Sequence, residues 1–121
     1  MMKEDKEVRK MIKETIEKVL RRYDVKPLKI ILFGSRARGN YKGDSDWDCF
    51  VIMKGELDRG KKREIIARIR MELARLKIPN DIIIQSSAMF EKQKNDVGYL
   101  SYYVLKEGVE IWVLNRQKSE Y

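Results

Sequence analysis

Two long segments of the chain carry apolar residues at helical spacing. Residues three and four apart lie on one face of an α-helix, so this spacing predicts a helix with one buried stripe. Between residues 5 and 23 the stripe consists of Val8, Met11, Ile12, Ile16, Val19, Leu20 and Tyr23. Between residues 58 and 77 it consists of Ile65, Ile66, Ile69, Leu73 and Leu76. Pro79 prevents the second helix from continuing, because proline has no backbone N–H to donate.

Shorter apolar runs, rich in isoleucine and valine, predict strands. They cover residues 28–33, 46–53, 80–85 and 109–114. Residues 36–44 are rich in glycine and polar residues and predict a short helical turn followed by a loop. Helices and strands that alternate in this way predict an α/β or α+β fold, with helices packed around one sheet.

Two short helices are predicted in the C-terminal third of the chain. Ser86 or Ser87 is a suitable N-cap for the first, because its hydroxyl can accept a hydrogen bond from a free N–H of the first turn. The second covers residues 97–107, with Gly108 as its C-cap. The tail, residues 115–121, is predicted to be loose.

The composition excludes several kinds of chemistry. The chain has no histidine, which excludes Ser-His and Cys-His nucleophile pairs, a histidine general base and histidine-containing zinc sites. Cys49 is the single cysteine, so no disulfide forms within the chain, and its place in a strand predicts core packing. The length of 121 residues predicts one domain, residues 1–121.

The charge balance favours anionic ligands but identifies none. Lysine and arginine number 27 against 19 acidic residues, a net charge of +8, and a positive field attracts phosphate groups and nucleic acid. Most basic residues alternate with glutamate, which is typical of solvated helical faces. No apolar run approaches the roughly 20 residues of a membrane span, and the charged N-terminus lacks a signal-peptide core. We therefore expect a soluble, cytoplasmic protein with no membrane partner.

Asp46 and Asp48 stand two residues apart at the beginning of a predicted strand. Side chains alternate between the faces of a strand, so the two carboxylates point the same way while Trp47 and Cys49 point to the opposite face. Neighbouring carboxylates repel each other unless a cation lies between them, and oxygen ligands alone suit Mg²⁺ or Mn²⁺. The alternative is a solvated turn with ordinary side-chain hydrogen bonds.

A glycine-serine turn precedes this acidic pair. Gly34 lies where a buried strand must bend into a helical turn, and glycine allows a phosphate to approach the backbone closely. Ser35 and the amides after it can donate to phosphate oxygens, and Arg36 and Arg38 add cationic donors. The alternative for an isolated Gly-Ser is an ordinary turn, and the GxxxxGK[ST] phosphate loop is absent.

Together, the segments GSRARG (residues 34–39) and SDWD (residues 45–48) resemble the signature of the minimal nucleotidyltransferases in the DNA polymerase β-like superfamily. The resemblance covers the whole chain and implies a polymerase β-like fold with a mixed sheet. It implies that Gly34, Ser35 and Arg38 contact the nucleotide phosphates and that Asp46 and Asp48 bind metal. Asp81 best matches the third catalytic and metal-binding carboxylate; its alternative is a turn residue at the start of a strand. Position 36 is variable in the motif.

The same resemblance implies a function. Minimal family members are often antitoxins encoded beside a HEPN-type ribonuclease toxin, and they transfer AMP from ATP to a tyrosine hydroxyl of that toxin. Two Mg²⁺ ions, with Mn²⁺ as a substitute, would be the cofactors and ATP the substrate. Two alternatives stay open: stoichiometric binding of the toxin without catalysis, and transfer to an RNA end or a small molecule. No residue identifies the nucleobase, and the oligomeric state is not predicted.

The C-terminal tyrosines have two interpretations. Tyr99, Tyr102 and Tyr103 could form part of a protein interface, because tyrosine is enriched at interfaces. The interpretation that we favour places Tyr103, together with Leu100 and Val104, on the core face of the last helix.

Overall fold

A computed structural model describes residues 3–114, and in that part the chain forms four strands and five helices. In chain order they are α1 (Lys3–Arg22), β1 (Pro27–Phe33), α2 (Gly34–Arg38), β2 (Trp47–Met53), α3 (Arg59–Arg75), β3 (Asn80–Ser86), α4 (Ser87–Gln93), α5 (Leu100–Glu107) and β4 (Val109–Val113). Every predicted helix and strand between residues 5 and 114 is present. The predicted loose tail, residues 115–121, lies outside the described residues.

The four strands form one mixed sheet in the order β3-β2-β1-β4. β1 runs antiparallel to both β2 and β4, whereas β2 and β3 run parallel. A parallel pair needs a crossover connection, and α3 provides it. The predicted mixed sheet flanked by helices is therefore confirmed.

The two faces of the sheet are covered unequally. On one face, α1 and α3 contribute the larger core, in which Ile12, Ile16, Ile65 and Ile69 pack with Cys49. On the other face, the short helices α4 and α5 cover a smaller cluster made of Ile31, Phe50, Ile52, Phe90 and Val104. Cys49 is fully buried, as predicted, and burial holds the pKa of its thiol far above the usual range. No helix within residues 3–114 is long and apolar enough to cross a membrane.

The end of α3 differs from the prediction. Leu76 was expected to face the core, but its side chain is 45% exposed. The helix ends at Arg75, and Lys77 takes a left-handed conformation (φ 61°) that turns the chain towards β3. Ile78, beyond this turn, is the residue that packs into the core.

The last helix also differs from the prediction. α5 begins at Leu100, three residues later than predicted, and its buried residues are Ser101 and Val104. Leu100 and Tyr103 are exposed, so the favoured core interpretation was wrong for both. The predicted capping residues, Ser86 for α4 and Gly108 for α5, agree with the structure. Ser86 caps α4 by accepting a hydrogen bond from the N–H of Met89 (3.2 Å).

Gly108 ends α5 for a reason that the sequence did not indicate. Its backbone is extended (φ −73°) rather than left-handed, so positive φ is not what requires glycine. A Cβ at this position would overlap the carbonyl oxygen of Val104 and lie 2.5 Å from Cγ2 of Ile31. Glycine is needed because α5 and β1 pack here without room for a side chain.

Gly108→Ala should therefore destabilise the protein by about 1–3 kcal/mol, the usual effect of overpacking. Gly43→Ala is the matched control, because a Cβ at Gly43 meets no atom within 4 Å. Urea denaturation followed by circular dichroism measures both. Equal stability of the two variants would contradict the packing argument.

Candidate active site

The register of the sheet brings the predicted site residues to one end of three adjacent strands. Asp48 in β2 pairs with Phe33 at the end of β1 and with Asp81 at the start of β3. The N–H of Trp47 also donates a hydrogen bond to the carbonyl oxygen of Pro79 (2.9 Å), which ties the beginning of β2 to the segment before β3. Gly34 follows Phe33 directly and begins α2.

Gly34 lies against one member of the acidic pair, Asp48. Its φ of +75° is in the left-handed region that favours glycine. A Cβ at this position would overlap Oδ2 of Asp48 and lie 3.2 Å from its Cγ. We expected glycine at this position to let a phosphate approach the backbone. The structure shows that glycine leaves room here for the Asp48 carboxylate. Ser35 follows in α2, half-buried, and Arg38 at the end of α2 is exposed.

The carboxylates interact electrostatically. The pKa of Asp48 is raised, chiefly by burial and then by the negative charges of Asp81 and Asp46, while Arg38 acts in the opposite direction. Repulsion of this kind is the condition under which a cation binds favourably between acidic side chains. Three carboxylates with no histidine or thiolate beside them form a donor set suited to Mg²⁺ or Mn²⁺. The chemistry of these residues therefore fits the implied metal.

Asp81 has a protein partner in this structure. Its Oδ1 lies 3.7 Å from Nη1 of Arg70, in α3. The same guanidinium donates to the carbonyl oxygen of Asn80 (3.2 Å), and the Asn80 amide donates to the carbonyl oxygen of Ile78 (3.0 Å). Within the described residues, no group of three or more acidic or cysteine side chains is already arranged to hold a metal ion. Arg70 is thus an ion-pair partner of one of the three predicted ligands.

A cavity of about 650 Å³ opens beside Asp46, between α3 and the beginning of β3. Arg70, Lys77 and Asn80 give its wall polar groups, and Met71 and Pro79 give it apolar surface. Another cavity, of about 390 Å³, lies near Trp112 at the opposite end of β1, away from the carboxylates. Of the predicted site residues, Asp46 lines the first cavity.

The comparisons with known proteins agree with this geometry. Residues 14–117 match the family described as polymerase beta, nucleotidyltransferase. The chain is also 31% identical over 86 residues to MJ0604 of Methanocaldococcus jannaschii, a candidate protein adenylyltransferase, and the match covers 71% of this chain and 81% of that protein. The chain belongs to the polymerase β nucleotidyltransferase family. The resemblance inferred from GSRARG and SDWD is thereby confirmed, as is nucleotidyl transfer as the class of reaction.

Solved structures of nucleotidyltransferases share the fold. A candidate nucleotidyltransferase from Sulfolobus solfataricus is 23% identical, with a TM-score of 0.60 over 96% of this chain and 93% of that one. A toxin-antitoxin structure with AMP-PNP is 22% identical, with a TM-score of 0.52 over 88% of this chain and 77% of that one. A complex of the tri-AMPylated HEPN toxin of Shewanella oneidensis with its MNT antitoxin is 19% identical, with a TM-score of 0.51 over 93% and 78%.

Two residues of this nucleotidyltransferase were missed or undervalued from sequence. Arg70 carried no signal, because it is one of many basic residues on α3. Arg36 was considered only as a donor beside the phosphate turn, yet its side chain is buried and bound to the loop before β2. An arginine followed five residues later by Tyr41 and eleven residues later by Trp47 is the signal that could have indicated stacking.

Asp48→Asn should stabilise the metal-free nucleotidyltransferase at pH 7. Because the folded state raises the pKa of Asp48, the ionised form destabilises the fold above the ordinary aspartate pKa of about 4. The asparagine variant should melt a few degrees higher at pH 7 in EDTA, and this difference should shrink towards zero as the pH falls below 4.

Asp44→Asn is the control for this measurement, because Asp44 is exposed in the loop before β2. It should melt like the wild type at both pH values. A metal-free Asp48→Asn variant that melts lower than the wild type at pH 7 would contradict the repulsion argument.

Proposed function

We propose that this nucleotidyltransferase transfers AMP from ATP to a tyrosine hydroxyl of a partner HEPN protein and thereby acts as an antitoxin. The observation that carries the proposal is the position of Asp48, in contact with Gly34 on one side and paired with Asp81 on the other. The name of the Methanocaldococcus relative supports a protein acceptor. The toxin-antitoxin structures, one with AMP-PNP and one with an AMPylated HEPN toxin, support a HEPN partner and an adenine nucleotide.

In this proposal Asp46, Asp48 and Asp81 hold Mg²⁺, for which Mn²⁺ can substitute. Bound ions would neutralise the triphosphate charge and favour the ionised acceptor oxygen. The Gly34-Ser35 turn holds the β- and γ-phosphates, and Arg38 adds a cation beside them. The acceptor oxygen forms a bond to the α-phosphorus, the bond from that phosphorus to the bridging oxygen breaks, and pyrophosphate leaves with the electron pair. Asp81 would accept the hydroxyl proton.

An exposed apolar surface supports a protein acceptor. We call it the α5 surface; its members are 41–63% exposed and comprise Val97, Tyr99, Leu100 and Tyr103. Four large apolar side chains exposed within seven residues are typical of an interaction site. α5 contacts α2, so a protein bound there would lie next to the phosphate turn. We therefore assign the partner protein to this surface.

A second candidate function is neutralisation by binding alone. The observation that favours it is the ion pair between Arg70 and Asp81, which occupies a carboxylate that catalysis requires. In that case the α5 surface would still bind the toxin, but no nucleotide would be transferred.

The two functions differ in a labelling experiment. With the HEPN protein encoded beside this chain, Mg²⁺ and ATP labelled at the α-phosphorus, we expect label on the HEPN protein that disappears when its tyrosines are replaced by phenylalanine. ATP labelled at the γ-phosphorus should give none. Asp46→Ala combined with Asp48→Ala should abolish labelling. Label that survives this double substitution would contradict the assigned site, and a double variant that still neutralises the toxin would favour binding alone.

The α5 surface is tested in the same reaction by Leu100→Glu combined with Tyr103→Glu. This variant should lose complex formation in size-exclusion chromatography while keeping the melting temperature of the wild type. Lys92→Glu is the control for added negative charge, because Lys92 is an exposed residue of α4. A Leu100 and Tyr103 variant that still binds and labels the HEPN protein would remove the α5 surface from the proposal.

Gly34→Ala should reduce AMP transfer by roughly a hundredfold, because the new methyl displaces Asp48 and a shift of about 1 Å at a reacting centre has effects of that size. Gly39→Ala is a closely matched control. Its φ is +82°, so it carries the same backbone strain of about 1 kcal/mol, but its Cβ meets no atom within 4 Å. Equal loss of transfer in the two variants would show that strain alone is responsible.

A further inference from the structure

A buried arginine holds the loop that carries the first acidic residue of the site. Arg36 lies in α2, and only 8% of its surface is exposed. Its Nη2 donates to the carbonyl oxygens of Gly43 (3.0 Å) and Ser45 (3.1 Å), and its Nε also donates to that of Ser45 (3.2 Å). Burial of a charge is unfavourable unless its donors are satisfied, and loop carbonyls satisfy those of Nε and Nη2 here.

The guanidinium also lies between two aromatic rings. Its Cζ is 4.2 Å from the centroid of Tyr41 and 4.6 Å from that of Trp47. The Tyr41 hydroxyl donates in turn to Asp5 in α1. Within the described residues no carboxylate forms an ion pair with Arg36. Its positive charge is stabilised instead by carbonyl dipoles and by the faces of the two rings.

These contacts hold the two residues that flank Asp46 in the sequence. Arg36 binds the carbonyl of Ser45, the residue before Asp46, and stacks on the ring of Trp47, the residue after it. Ser45 is held further, because its N–H donates to the carbonyl oxygen of Lys42 and its hydroxyl accepts from the Lys42 N–H, both at 3.0 Å. Asp46 itself is exposed, so its backbone position depends on its two neighbours.

We infer that Arg36 is a positioning residue for nucleotidyl transfer, which fixes the Asp46 carboxylate relative to Asp48 without touching the nucleotide. Its hydrogen bonds use Nε and Nη2, its faces stack on two rings, and only 8% of its surface is exposed, so little of it is accessible to a triphosphate, in contrast to exposed Arg38. The inference rests on the proposed metal-binding role of Asp46. It explains why a planar, multiply donating cation stands at position 36, since a lysine ammonium cannot form this fork and stack together.

The test uses Arg36→Met and the milder Arg36→Lys. Mn²⁺ is the probe, and its binding to the nucleotide-free protein is followed by electron paramagnetic resonance. We expect the Mn²⁺ dissociation constant to rise about tenfold in Arg36→Met and less in Arg36→Lys. With ATP and the HEPN protein as acceptor, the rate constant kcat of pyrophosphate release should fall by about ten- to a hundredfold, while KM for ATP changes far less. Amide hydrogen exchange should accelerate at residues 43–47.

Ile16→Val and Ile16→Ala provide the stability control, because Ile16 is fully buried in α1 away from the loop. They should lower the melting temperature while leaving Mn²⁺ binding, kcat and exchange at residues 43–47 unchanged. The inference is overturned if Arg36→Met behaves like these variants in all three measurements. A wild-type protein that binds no Mn²⁺ would instead contradict the metal role of Asp46, and loop exchange would then decide whether Arg36 orders the loop.

Discussion

The arrangement of the site depends on the crowding of Asp48 between its neighbours. This carboxylate is partly buried, abuts the backbone of Gly34 and shares one end of the sheet with two further acids. An isolated strand would relieve such crowding by turning away. β2 cannot do so, because β1 and β3 pair with it along its whole length and its inward side chains are packed in the larger core. The hydrophobic effect thus holds charges together that would otherwise separate.

The two faces of the sheet differ in how completely helices cover them. α1 and α3 are long and cover a large core, which supplies the rigidity that the acidic strand ends require. α4 and α5 are short, cover a smaller cluster and leave the apolar α5 surface exposed next to the glycine-serine turn. A rigid face and an incompletely covered face are compatible with the partner binding that we propose.

Much of this could be predicted from the sequence, and the failures have identifiable physical causes. Helical spacing and β-branched runs predicted the helices and strands because both patterns report burial on one face. The paired motifs predicted the family and placed Gly34, Asp46 and Asp48 together. Leu76 was misassigned because periodicity does not show where a left-handed residue ends a helix. Leu100 and Tyr103 were misassigned because an apolar stripe looks the same whether its own chain or another protein covers it.

The contacts of arginine were the least predictable feature. Arg36 and Arg70 look alike among the 27 basic residues, yet one is buried against loop carbonyls and the other forms an ion pair with Asp81. Which acceptors a long cationic side chain finds depends on tertiary contacts between distant segments. Periodicity and composition contain no information on this choice.

The buried thiol of Cys49 has a practical consequence. It is the single cysteine of the chain, it is fully shielded from solvent, and its elevated pKa keeps it in the unreactive thiol form. Maleimide reagents should therefore not react with Cys49 in the native protein. A fluorophore or spin label could be attached at one introduced surface cysteine without first removing Cys49, whose loss would leave a hole beneath the acidic strand.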